Sequence, residues 1–576
     1  MTRDAYQPTT EQEAIIGHNG HAFVHACPGA GKTRTMVERA RHVLSNSTDR
    51  RGVAFLSFTN AAVEELEARL RSFSALPSPL FPSFIGTFDR FLWQFFIAPF
   101  GFDGSGQQPR LVPDKSEWEV KPFPKAQSLK LKHFDRATGT FLPHKATGTG
   151  FKPKNGPGAW ETAARRAIAR ARAEGHLDFE DVRECVANRL ADEAFSARLG
   201  TALNSRFREI VVDEAQDCNP ADLEIIEWLR ASGIKVKIVC DPNQAIYAFR
   251  GGLTDELLNF ARSFDVKDHL PMSGNFRSSP AICAAISQLR PPATRGTPDY
   301  AVGKYKDDAT PIYILSYSGV GVPAVIGTRF QALAAALEIA PAQARVLAAT
   351  WASAGNAVGR AVPEPGGDKT LLLAEAVMGF HFAFASGNRR DALVRLHRTV
   401  LQVRGVIANA GDYTTHVTAS GPDDGRWRPE IIAIGRTLKV LPGESPENWL
   451  KRARSLLGSS LIGTSTIGQR LKFNNKLVQV LAEVSATALP AKAIHAVKGL
   501  EFPAVCVVLT AQTAGGILEV LSGGASDADT VEETRKIYVA ASRAERLLAI
   551  AAPKSRVATL KKLLDVGGHS AEIIVL

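Results

Sequence analysis

Lys32 and Thr33 close a short turn, Cys27-Pro28-Gly29-Ala30-Gly31-Lys32-Thr33, whose chemistry suits phosphate. Backbone N–H groups in such a turn, together with the start of a following helix, can cradle phosphate oxygens. The lysine would reach the β- and γ-phosphates, and the threonine hydroxyl would hold Mg²⁺. With Ala26 in front, the stretch fits G-x-x-x-x-G-K-S/T except at the first glycine. That exception is tolerable if Ala26 keeps a negative φ, since only a positive φ demands glycine.

A second centre of chemistry is Asp213-Glu214, at the end of the hydrophobic run from Phe207 to Val212. Asp213 can hold a Mg²⁺ that bridges phosphates. Glu214 can polarise an attacking water as general base. Gln216 and Asp217 point onward and could couple this site to a neighbouring domain. Gln244 follows a third strand and is placed to sense a γ-phosphate. Gln12, just before the turn, could read an adenine edge with its amide, or cap the helix that begins near Thr9.

The elements that must position these residues are legible from periodicity. The run His21–Ala26 reads as a strand and Arg34–Leu44 as a helix, which makes the turn a strand–loop–helix unit. Buried-strand runs recur at Val53–Phe58, Phe84–Phe88 and Ile234–Cys240, and strand-like stretches at residues 305–317, 345–350, 505–509 and 546–551. In open α/β sheets, ligands bind at the C-terminal ends of parallel strands. Phe58, Thr59 and Asn60 lie at such an end, as do Gly86, Thr87 and Phe88. An aromatic beside small polar groups suits a base stack and a phosphate contact; a strand end with a helix cap explains the same residues. Tyr247 and Phe249 alternate with small residues, as in a stacking loop or an aromatic core anchor. The dense aromatic run from Phe88 to Phe96 reads as core before stacking platform.

With 576 residues the chain is too long for one core, and about three or four domains are expected. The formal charge is +11 and the pI about 9.3, which favours a polyanionic partner, nucleic acid before anionic membrane. The six cysteines are scattered, which points away from a disulfide framework or a thiolate metal site and toward a reducing, cytoplasmic compartment. The N-terminus carries no signal-peptide pattern. The most apolar stretch, Leu371–Ala385, is interrupted by Glu375 and His381 and reads as a buried helix, so no membrane partner is expected. Two stretches break the strand–helix rhythm. The first, after Phe100, is rich in Gly, Pro, Lys and Arg, with a basic helical run over residues 161–173. The second runs from 351 to about 485. Both read as insertions with basic faces.

Taken together the motifs resemble superfamily 1A helicases of the UvrD/Rep group, in order from residue 9 to about 550. The resemblance implies two RecA-like α/β motor domains, each built on a parallel sheet and interrupted by a largely helical insertion. Its divisions are 1–98 and 196–270 for the first motor domain, with 99–195 inserted. They are 271–350 and 486–576 for the second, with 351–485 inserted. It further implies ATP and Mg²⁺ as cofactors. Residues from Pro28 to Arg34 would bind nucleotide, and Thr33 and Asp213 would hold the metal. Gln12 would read adenine, Phe276 would stack on it, and Glu501 would bind ribose. Arg277 and Arg543 would meet the γ-phosphate, so that Lys32, Asp213, Glu214, Gln244, Arg277 and Arg543 form the catalytic set. The nucleic-acid track would comprise Phe58, Thr59, Asn60, Gly86, Thr87, Phe88, Tyr247, Phe249, Arg250 and His495. Asp89 stands where the family often has His, and would add negative charge beside that track. Both insertions are shorter than in well-known members.

The activity implied is ATP-driven 3′-to-5′ movement on single-stranded DNA with duplex separation, in repair, replication restart or anti-phage defence. Implied partners are single strands and single-strand/duplex junctions, with a separate nuclease or repair subunit, or a second copy, as protein partner. The alternative is a nucleic-acid-stimulated ATPase switch that strips or positions a partner without processive unwinding. A subunit with a dead nucleotide site is opposed by Lys32, Asp213, Glu214 and Arg543. RNA as substrate stays open, because track residues read backbone and base faces.

Overall fold

A computed structural model describes residues 7–576 except 46–48, 59, 73–80, 103–106, 113–114, 125, 147–148, 153–155, 247–253, 360–367, 386–388, 408–412, 414–415, 418–425, 442, 476, 482–488 and 567. Thr59, Tyr247, Phe249 and Arg250 therefore lie outside the described residues. The chain divides into two compact units. One comprises Met1–Phe88, Asp192–Glu364 and Glu483–Leu576; the other comprises Asp89–Ala191 and Pro365–Ala482.

The first unit holds two six-stranded sheets. The first contains β1 (Ala22–Ala26), β2 (Gly52–Ser57), β3 (Phe84–Thr87), β4 (Phe207–Asp213), β5 (Lys235–Cys240) and β6 (His269–Met272), in the order β6-β1-β5-β4-β2-β3. Every pairing is parallel. Strands covered on both faces read as unbroken apolar runs rather than alternations, and β2, buried at every position, is such a strand. The strand β6 has no clear signal in the sequence pattern, and it spans residue 270. It lies beside β1, with Ala26 opposite Met272.

Helix α1 (Thr10–Gly17) enters the first sheet and α2 (Lys32–Ser45) follows the phosphate-type turn. Behind the turn, Arg39 on α2 is fixed by a buried ion pair. Its Nε and Nη2 donate to Glu209 at 3.1 and 2.8 Å, and its Nη1 donates to the Ile16 carbonyl at 2.6 Å. One guanidinium thus ties α2 to β4 and to the end of α1.

The second sheet contains β7 (Tyr313–Tyr317), β8 (Ala344–Ala348), β9 (Ala491–Ala493), β10 (Phe502–Val508), β11 (Ala544–Pro553) and β12 (Glu572–Val575), in the order β9-β8-β10-β11-β7-β12, again all parallel. The short edge strands β9 and β12 were also missed in the sequence. Helices α3 (Pro280–Gln288) and α4 (Ala528–Ala541) pack on this sheet through Ile282, Ile286, Ile537 and Val539.

In the other unit, the stretch Leu371–Ala385 lies within a helix, Lys369–Ala385, that packs Leu373, Val377 and Phe380 around the buried Trp449. No helix among the described residues is long and apolar enough to cross a membrane. The basic run 161–173 falls in the helix Gly158–Ala173, whose Arg165, Arg166, Arg170 and Arg172 are exposed. The aromatic run starts as a short helix, Phe88–Leu92, and continues as a π-helix, Trp93–Ile97. Phe88, Phe91 and Phe96 are fully buried, which is the core role expected of them.

Candidate active site

The turn begins where β1 ends. Ala26 is the last residue of that strand and Glu214 and Glu338 are the only non-glycine residues with positive φ among those described, so the condition on Ala26 is met. Gly29 and Gly31 carry the left-handed turns, at φ +71° and +77°. A Cβ on Gly29 would sit 2.6 Å from both Asn275 Oδ1 and Arg277 Cβ, so glycine is required there for space as well as for φ.

Of the two roles left open for Gln12, the structure shows the helix cap. Its Oε1 accepts from the Thr9 N–H at 3.1 Å, and its own N–H donates to Thr9 Oγ1 at 3.2 Å, which makes a capping box. Its Nε2 donates to the Ala30 carbonyl at 2.9 Å, so the same side chain fastens the cap to the phosphate-type turn.

Lys32 opens α2 and places Nζ 3.6 Å from Glu214 Oε1. Burial alone would lower the ammonium pKa, but the carboxylates of Glu214, then Asp213 and Asp241, outweigh it and raise the pKa. Glu214 shows the reciprocal effect. Burial would raise its pKa, and Lys32, Lys498, a hydrogen bond from Gln216 and Arg543 together hold it below the usual carboxylate range. Glu214 sits at φ +56°, a left-handed conformation uncommon for a residue with a Cβ, and its N–H donates to Asp213 Oδ1 at 2.9 Å. This bend turns the chain at the end of β4, and both carboxylates act on the Lys32 ammonium.

Residues attached to the second sheet close on this centre. The Phe276 N–H donates to the Gly29 carbonyl at 2.9 Å. Asn275 Oδ1 accepts from the N–H groups of Arg277 and Ser278 at 2.8 and 3.0 Å. Arg277 donates through Nε to Glu501 at 2.6 Å and through Nη1 to the Ser542 carbonyl at 2.8 Å. Arg543 is 3 % exposed, and its Nη2 donates to Gln244 Oε1 at 2.9 Å. Burial and the neighbouring Arg277 lower its pKa to about 10, so it stays cationic at neutral pH. The structure thus gathers Gln12, Lys32, Asp213, Glu214, Gln244, Phe276, Arg277 and Arg543 around one turn, with Thr33 half-buried beside them and Arg34 exposed.

The expected nucleic-acid track fares unevenly. Phe58 is half-buried and stacks on Phe88, with centroids 5.5 Å apart and planes 17° apart. Phe88 itself is fully buried and has no face to offer a base, so its direct contact with nucleic acid is withdrawn; it backs Phe58 instead. Gly86 is buried within β3, Thr87 is half-buried at its end, and Asn60 opens the helix Asn60–Ser72. His495 is exposed, edge-on to Trp351 at 6.2 Å. Asp89 is not a bare charge: Arg183 pairs with it at 2.8 Å and neutralises it.

Two contacts carry residues whose partners were not foreseen. Lys498 pairs with Asp217, and Tyr538 donates to Asp241. Asp217 stands out in the sequence by its place after the strand end, but nothing in its spacing identifies Lys498 as what meets it, and the pattern does not single out Asp241 or Tyr538.

A family model described as the UvrD/REP helicase N-terminal domain matches residues 8–265, and one described as the UvrD-like helicase C-terminal domain matches residues 474–555. The chain belongs to the UvrD/Rep-like helicase family. Among curated relatives, it is 24% identical to ATP-dependent DNA helicase UvrD2 of Mycobacterium tuberculosis over 597 residues, covering 95% of this chain and 78% of that one. It is 24% identical to YjcD of Bacillus subtilis over 300 residues, 48% of this chain and 37% of that one. It is 22% identical to DNA helicase II of Escherichia coli over 292 residues, 48% of this chain and 39% of that one. The chain therefore spans well under half of the last two relatives and most of UvrD2. The UvrD/Rep-like architecture of two parallel-sheet cores with helical insertions is the one described above.

Proposed function

We propose that the protein is an ATP-driven motor that moves 3′-to-5′ on single-stranded DNA and separates duplex ahead of it. The observation that carries this reading is the convergence on Lys32 of groups from both sheets: Asp213, Glu214 and Gln244 from the first, Arg277 and Arg543 from the second. The turn fits a nucleotide, since Gly29 and Gly31 give it left-handed bends and Lys32 follows at the helix start. Thr33 and Asp213 supply oxygen donors of the kind Mg²⁺ takes, and a bound Mg²⁺ would neutralise phosphate charge.

In this reading Lys32 turns from Glu214 to the phosphates, and the loss of that ammonium raises the Glu214 pKa toward the range of a working base. Glu214 then takes a proton from water. Arg277 and Arg543 stabilise the charge that develops on the transferred phosphoryl group. Phe58 and His495 are surfaces for successive bases, and exposed arginines of the helix Gly158–Ala173 contact phosphates. The insertions are compact, so unwinding by the chain alone is weak, and a partner subunit or a second copy would strengthen it. UvrD2 and DNA helicase II bear names that state the ATP-dependent or DNA-helicase activity, which supports the same class of reaction here.

The test uses one preparation on matched substrates: ATPase with and without single-stranded DNA, streptavidin displacement from each end, and unwinding of 3′- and 5′-tailed duplexes. Displacement from the 5′ end only, with slow unwinding of 3′-tailed duplex, supports the proposal. Preference for 5′ tails overturns the polarity. DNA-stimulated ATPase without movement favours a switch that strips or positions a partner. A response to RNA alone moves the substrate assignment.

A further inference from the structure

We propose that Tyr538 is a positioning residue for ATP hydrolysis, whose hydroxyl holds Asp241 and thereby fixes the Gln244 amide that carries Arg543. The inference rests on the motor reading above and goes beyond it in naming what holds the two sides of the site in register.

The contacts form one continuous buried chain. Tyr538 on α4 donates its hydroxyl proton to Asp241 Oδ2 at 2.7 Å. Asp241, immediately after β5, also accepts from Gln244 Nε2 at 3.0 Å and from the Asn243 N–H at 3.0 Å. Gln244 Oε1 then accepts from Arg543 Nη2 at 2.9 Å. An amide has one acceptor end and one donor end, so the bond to Asp241 decides that the oxygen faces Arg543. Tyr538 and Arg543 lie on the same helix and its C-terminal extension, five positions apart in the chain. The helix that brings the arginine is therefore the helix that orients its acceptor.

The phenol cannot turn away from Asp241. Arg290, on the far side, donates to the same hydroxyl oxygen through Nε and Nη2, each at 3.2 Å. Donors on that side leave the hydroxyl proton only the carboxylate. Arg290 is held in turn by Asp299, whose two oxygens lie 2.7 and 2.6 Å from Nη2. Tyr538, Asp241, Gln244, Arg543, Arg290 and Asp299 are all buried. Burial pushes the phenol pKa well up, which keeps the proton on Tyr538. In such surroundings a carboxylate that loses one of its donors shifts onto those that remain, and Gln244, which donates to the same oxygen, moves with it.

Tyr538→Phe keeps the ring and removes only the hydroxyl. With single-stranded DNA present, kcat for ATP should fall about tenfold or more while KM stays within about twofold of the wild type, because the disturbed groups act on the charge that develops during phosphoryl transfer and the turn that binds nucleotide is unchanged. In a Gln244→Ala background, adding Tyr538→Phe should cost no more than about twofold further, because the hydroxyl acts through that amide. A general packing role predicts the opposite, an equal loss in both backgrounds, and that result overturns the inference. So does a Tyr538→Phe enzyme with kcat within about twofold of wild type. A wild-type chain without nucleotide turnover overturns the motor reading and this inference with it; active wild type with an indifferent Tyr538→Phe overturns this inference alone.

Discussion

Lys498 Nζ lies 2.7 and 2.8 Å from the two oxygens of Asp217, so an ammonium just before β10 of the second sheet grips a carboxylate just beyond β4 of the first. Both side chains are largely buried. Asp217 is three residues past the Glu214 bend, and Lys498 is one of the cations that hold the Glu214 pKa down. The pair should therefore affect turnover as well as stability. We expect Asp217→Ala and Lys498→Ala each to lower DNA-stimulated ATPase, and a double-mutant cycle on thermal unfolding to give a coupling of about 1 kcal/mol or more. Additive effects would remove the pair from any coupling role.

Lys32→Ala should reduce ATP turnover by about a hundredfold or more, with single-strand binding within about twofold of wild type, since the lysine faces the carboxylates rather than the candidate track. Glu214→Gln should keep nucleotide binding and lose turnover, because an amide cannot accept the proton of the attacking water. Steady-state ATPase and a fluorescent-nucleotide titration check both.

The Arg39–Glu209 pair is a stability element away from the chemistry, with both side chains at most 2% exposed. Removing one partner leaves a buried charge, so Glu209→Ala should destabilise the first sheet by about 3–5 kcal/mol. Replacing both residues with apolar ones of similar size should recover much of that loss. Urea unfolding of the single and double variants measures the difference.

Acid lability should trace in part to two histidines. Burial, with His269 beside it, lowers the His25 pKa from 6.5 to about 4. Burial, with His416 beside it, does the same for His397, which stacks on Trp427 at 4.1 Å. Both rings stay neutral in the folded chain where the unfolded chain takes up protons. Their contribution to stability is full above pH 6.5 and is lost as pH falls toward about 4. His397→Phe keeps an aromatic ring against Trp427 and should flatten the fall in melting temperature between about pH 7 and about pH 5. An unchanged slope would exclude His397 as a source.

Much of the candidate site was legible because its chemistry is local. Lys32, Thr33, Asp213 and Glu214 each lie within a few residues of an apolar strand, and an unbroken apolar run followed by a glycine-rich turn or paired carboxylates is a short-range signal. What failed to show was long-range. Arg183 neutralises Asp89, and Phe88 turns inward to support Phe58. Neither follows from spacing, because the partner of a charge and the covered face of an aromatic are decided by tertiary packing. The strands β6, β9 and β12 escaped for a related reason. They are short, and β6 is interrupted by Pro271, so their pattern is too brief to stand out from a turn.

The position of β1 in its sheet bears on how the protein must be made. Its neighbours are β5 and β6, so Phe23, Val24 and their companions find no strand partner until Lys235 and beyond have left the ribosome. The second sheet repeats the delay, with β7 waiting for β11 and β12 near the end of the chain. Pairings of such sequence separation are slow to form, and the apolar strands stay exposed meanwhile. Synthesis thus passes through a long interval in which the phosphate-type turn exists as sequence but has no sheet to hold it. Slowed translation, lower growth temperature or a holding chaperone should raise the soluble yield more than any stabilising substitution on the finished surface.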